Sequence, residues 1–153
     1  MTSPAQDPPA AAGPPPRRAT DPAVTAPPTP ARQRFRAADV AVHLDMVVIG
    51  DVCVAISLSG YRSILGGFFD DRSGSLAQLL AALDRGQTAP LPALGHAVLG
   101  AAVSLGLRAV GQQAQQIENG GAHFQPADCV QHAADLRAQL ATARSLLQRM
   151  GFA

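Results

Sequence analysis

From residue 37 onward, apolar residues recur at three- and four-residue steps, the period of one helix face, and no glycine-flanked stretch alternates as a strand would. The C-terminal stretch is the most regular. Cys129, Ala133, Leu136, Leu140, Ala143, Leu147 and Met150 predict an amphipathic helix from near Pro126 to the end of the chain. Upstream, Leu44, Val48, Val52 and Ile56 predict a helix over about 40–56 with Asp39 as its cap. The β-branched residues around Val47-Val48-Ile49 would also suit a strand, but the helical spacing runs through them and no partner strand follows. Ser59-Gly60 marks a break. A long helix is then expected from Tyr61 to about Arg85, on Tyr61, Leu65, Phe68, Leu76, Leu79, Leu80 and Leu83, with a kink near Ser73-Gly74.

Gly86 reads as the end of that helix, Thr88 and Pro90 as the start of the next, and Pro92 fits its first turn, where a missing amide hydrogen is tolerated. The chain is expected to bend at Gly106 into a further helix through Val110, Ala114 and Ile117, ending at Asn119-Gly120-Gly121. The fold class that follows is all-α: an up-down four-helix bundle with an additional N-terminal helix. Composition adds a boundary. Ten of the thirteen prolines precede residue 31, and the Pro/Ala/Arg-rich segment 1–36 is expected to be a disordered tail, leaving 37–153 as the folded domain.

Charge excludes more than it suggests. The net charge is +1, and all twelve basic residues are arginines. That balance predicts neither nucleic-acid nor membrane binding, and the tail arginines read as part of a solubilising linker. No uninterrupted apolar run reaches the roughly 18 residues of a membrane span, and no segment resembles a secretion signal, so a cytoplasmic protein is expected. Cys53 and Cys129 lack zinc-motif spacing and read as small buried hydrophobes. His43, His123 and His132 have no cysteine or carboxylate at ligand spacing, so no metal site is expected. Neither a nucleophile elbow nor a phosphate-cradling glycine loop is present.

Candidate chemistry is concentrated in 94–107. Leu91, Leu94, Val98, Ala101, Ala102 and Leu105 form a buried stripe, while His96, about 160° around the helix from Val98, faces outward. Gly100 lies one turn along from His96, flanked by Leu99 and Val103. A neutral imidazole is a competent nucleophile near pH 7.

His96-Ala97-Val98-Leu99-Gly100, the following Leu105-Gly106-Leu107, and Ile117-Glu118-Asn119-Gly120 at the next helix end resemble the histidine-containing phosphotransfer (HPt) domain of bacterial two-component phosphorelays, over roughly residues 40–150. The resemblance implies that His96 is phosphorylated and that Leu99, Gly100, Val103 and Glu118 form a receiver-docking surface. It implies no cofactor on this chain, with Mg²⁺ on the partner receiver domain. The implied partners are a response-regulator receiver domain, a hybrid sensor histidine kinase, or both. One position departs from the pattern: Leu99 stands where the family has lysine. Electrostatic help then comes from another cation, such as Arg108 or Arg62, or the domain is a docking surface without chemistry. Gly100 reads either as clearance for a partner or as a helix-packing glycine. Glu118 reads either as a hydrogen-bond partner fixing the imidazole tautomer or as a solvated helix-end carboxylate. The run Gln112, Gln113, Gln115 and Gln116 reads as the polar side of its helix.

Overall fold

A computed structural model describes residues 12–13 and 36–153, so the expected tail lies almost wholly outside the described residues. The described chain is all-helical. In order come α1 (Ala37–His43), α2 (Met46–Asp70), α3 (Ser75–Asp84), α4 (Leu91–Ser104), α5 (Arg108–Gly120), a 3₁₀ turn (Gly121–His123) and α6 (Pro126–Arg149). One contiguous apolar cluster draws on all six helices or their caps, with Leu44, Ile49, Tyr61, Leu79, Leu91, Ile117 and Leu136 fully enclosed. The α4–α5 pair is the most extensive helix contact, and α6 packs on both α3 and α5.

Three expected boundaries move, each for a local polar reason. The helix expected over 40–56 is two helices. Asp39 sits three residues inside α1 and bonds back to the Arg36 amide, while Asp45 caps α2 by accepting from the Val47 and Val48 amides. The break expected at Ser59-Gly60 falls at Ser57, whose backbone at φ 71° and ψ 161° interrupts α2. That conformation belongs essentially to glycine and costs a serine about 1–3 kcal/mol. The Ser57 hydroxyl accepts from the Gly60 amide at 3.2 Å and so caps the second half of α2. The helix expected over 61–85 with a kink near Ser73-Gly74 is fully divided there, at 71–74, where the Asp71 carboxylate accepts from both the Ser73 amide and its hydroxyl at 2.8 Å. Those hydrogen bonds hold the Asp71 carboxyl below the usual carboxylate range.

The elements from α4 onward lie where the pattern places them. Pro92 occupies the first turn of α4, and α5 ends at Gly120. Gly106 turns the chain between α4 and α5 at φ 71°, and its missing side chain makes room for α2: a Cβ there would stand 2.7 Å from Ile49 Cγ1 and 2.8 Å from the Asp45 carbonyl oxygen. On α6, Leu146 joins the buried face, whereas Met150, expected on it, lies past the helix end and is exposed. Arg144 and Arg137 of α6 pair with Asp70 and Asp84 at the ends of α2 and α3.

The tyrosine of α2 anchors that helix to α4. Tyr61 is fully buried and its hydroxyl donates to the Leu105 carbonyl at 2.9 Å. Burial pushes its phenol up to about 12. Within Met46–Asp84 one 18-residue window has a mean hydropathy of 1.4 and so meets the length and composition of a membrane span, although charged residues such as Asp51 and Arg62 leave no uninterrupted apolar run of that length.

Candidate functional site

His96 projects from the middle of α4 with 77% of its side chain exposed. Its Nδ1 lies 2.9 Å from Oε1 of Glu118, near the C-terminal end of α5. A carboxylate only accepts, so Nδ1 carries the proton and donates it. The Nε2 lone pair is left as the ring's free nucleophilic position.

The contact depends on the residue beside the histidine. Gly95 is buried in the α4–α5 crossing, and a Cβ there would stand 2.7 Å from the Glu118 backbone nitrogen and 3.0 Å from the Ala114 carbonyl oxygen. Only a glycine lets α5 come this close, and the close approach brings the Glu118 side chain within reach of the ring. Glycine thus serves the site at two adjacent turns in opposite ways. At Gly100 a Cβ would meet nothing within 4 Å, so this glycine is not required by packing and leaves an open patch one turn from His96.

Leu99 and Val103 continue the same side of α4. Leu99 is half-buried and Val103 is 56% exposed. Both lean over Gly111 of α5, where a Cβ would come within 3.6 Å of Leu99 Cδ1 and 3.5 Å of Val103 Cγ2. They form one wall of a cavity of about 190 Å³ whose other walls include Asp45 and Val48 of α2 and Gln112 and Gln115 of α5.

Arg108, at the start of α5, borders this cavity, but its guanidinium is committed to α1 and α2. It donates to the Ala41 carbonyl at 2.9 Å and to Asp45 Oδ2 at 2.8 Å. The Arg108 hydrogen bond, followed by that of the Val48 amide, holds the Asp45 carboxyl below its ordinary 3.8. Arg62 donates to the Gly151 carbonyl. Both arginines named as sources of electrostatic help are thus engaged with Gly151, Ala41 and Asp45.

The structure therefore joins His96 to Glu118 and Leu99 to Val103, with Gly100 open beside them. Sequence reasoning missed Gly95, Gly111 and the Asp45–Arg108 pair. The one signal for Gly95 was a glycine on the inward side of a helix, next to an outward histidine. Gln113 also departs from its expected polar face: it is buried, and its amide donates to His132 Nδ1 at 2.8 Å while that ring stacks on Phe124. Among the described residues no group of three or more His, Cys, Asp or Glu is placed to hold a metal ion. No family model matches the chain, and no curated protein matches it.

Proposed function

We propose that this chain is a cytoplasmic histidine phosphotransfer protein of the HPt type, in which α3–α6 and the second half of α2 supply an up-down four-helix bundle. His96 Nε2 attacks the phosphorus of a receiver domain's aspartyl phosphate in line. The N–P bond forms as the P–O bond to aspartate breaks, and the electron pair leaves with the receiver's carboxylate. A second receiver takes the group by the reverse reaction. Proximity and charge neutralisation dominate such transfers, and the receiver's Mg²⁺ supplies much of the latter. This chain supplies the nucleophile, a fixed tautomer and the docking face formed by Leu99, Gly100, Val103 and Glu118.

The observation that carries the reading is the Nδ1–Glu118 hydrogen bond on an otherwise exposed ring. It frees Nε2 and offsets the positive charge that develops on the imidazole as Nε2 bonds to phosphorus. Incubation with a phosphorylated receiver is expected to label the chain with an acid-labile, base-stable phosphate. Glu118→Ala should slow labelling on the order of tenfold, the scale of losing a partner that orients a histidine, while Glu118→Gln, whose amide oxygen still accepts from Nδ1, should slow it less. Label persisting in His96→Gln would sink the assignment.

Leu99 and the committed Arg108 and Arg62 favour a second reading, a receiver- or kinase-binding adaptor of the same fold that transfers nothing. In that case receiver binding survives His96→Ala, and no phosphate reaches the wild-type chain.

A further inference from the structure

We propose that the α1–α2 arm exchanges between two copies of this chain, with Ser57 as the hinge. In the exchanged form Ser57 straightens and residues 36–56 of each copy pack on the body of the other. The inference does not rest on the reading of His96.

Three features carry it. First, Ser57 is the one non-glycine residue with positive φ among the described residues, and its φ and ψ are those only glycine adopts readily. Residues 46–70 contain no proline, so nothing in the covalent chain prevents an unbroken α2. Second, the bend stands clear of the body. Val54 to Ser59 are all exposed, Val54 by 89%, and Ile56 and Leu58 also face solvent. Third, the arm is held by contacts that an identical body would offer equally: the buried Leu44 and Ile49, the partly buried Val40, Val52 and Cys53, the Asp45 amide bonded to the Gly106 carbonyl, and Arg108 clamped on Asp45 and the Ala41 carbonyl.

Helical register makes the second copy the fitting occupant. In a straight α2, at about 100° per residue, Ile49 and Val52 fall roughly 120–180° around the axis from Tyr61 and Leu65. The arm and the second half of α2 then present their anchoring faces to opposite sides, as a helix lodged between two bodies requires. The bend at Ser57 is what allows one body to take both faces. Straightening also aligns Val54 and Leu58 with the stripe of Tyr61 and Leu65, so a second α2 crossing near Ser57 would cover side chains now in solvent. Reciprocal exchange of this kind closes on a two-fold axis and leaves no open end.

Size-exclusion chromatography with light scattering on the full chain tests the hinge. Ser57→Ala removes the cap while favouring helix, and it should raise the dimer share several-fold over wild type; Ser57→Gly relaxes the bend and should lower it. The contact itself is tested with Asp45→Arg and Arg108→Asp. Each variant alone sets like charges against each other, whereas one exchanged dimer of the two holds a native and a reversed pair together. Mixing them should therefore produce more dimer than either gives alone. Monomers in every Ser57 variant and in the mixture overturn the proposal, as does a dimer indifferent to both. So does a chain that stays monomeric and instead sediments with phosphatidylcholine–phosphatidylglycerol vesicles, which would assign the apolar bend to a lipid surface.

Discussion

Around His96, two glycines on adjacent turns do opposite work, and alanine substitution separates them. Gly95→Ala puts a methyl 2.7 Å from the Glu118 backbone, and it should cost about 1–3 kcal/mol in urea unfolding as the α4–α5 crossing is forced apart. Gly100→Ala meets open space, and it should stabilise by about 0.5–1 kcal/mol through helix propensity. If Gly100 is clearance for a docking partner, the same variant accepts phosphate more slowly despite its higher stability. Equal stability of the two variants would contradict the close crossing. His96, Gly100, Leu99 and Val103 were legible in the sequence because helical period alone decides which side of α4 they occupy. Glu118 was half legible, since an antiparallel neighbour brings its position near without fixing its side chain. Gly95 was not legible: periodicity shows that a residue faces inward, not that another backbone lies within van der Waals distance.

The helices themselves followed from apolar spacing, and the ends that moved are those set by single side chains. Asp45, Ser57 and Asp71 each hydrogen-bond to local backbone and stop or restart a helix within an apolar pattern that runs on unchanged. Hydrophobic period cannot register such breaks. Between α2 and α4, the Tyr61 hydroxyl bonded to the Leu105 carbonyl gives a direct test. Tyr61→Phe leaves that carbonyl unpaired and should lower stability by about 1–3 kcal/mol. Because the folded-state pKa is raised from 10.0 to about 12, the neutral phenol's contribution is full below 10.0 and is lost as pH rises through about 12. Denaturant unfolding at a series of alkaline pH values should show that decline in wild type and not in the phenylalanine variant.

For the described domain as a whole, stability is distributed unevenly. The α4–α5 pair holds the largest interhelical contact, while α2 is secured by a few anchors on either side of an exposed bend. Amide hydrogen exchange should be slowest in α4 and α5 and fastest across 54–59. Acid should loosen the N-terminal anchor of α2 in particular. Asp45 has its folded-state pKa lowered, chiefly by Arg108, so its contribution is present above 3.8 and is lost as pH falls through the folded-state value. Asp45→Asn keeps a capping oxygen but no charge, and exchange in 46–56 should lose its acid sensitivity in that window.

The cavity of about 190 Å³ is walled on one side by Leu99 and Val103 and on the other by Asp45 and Val48. Anything that binds across it grips the body and the arm at once, so its affinity and the freedom of the arm are linked quantities. A molecule that binds more tightly with the arm in place slows its release, and by thermodynamic reciprocity an arm held in place strengthens that binding by the same factor.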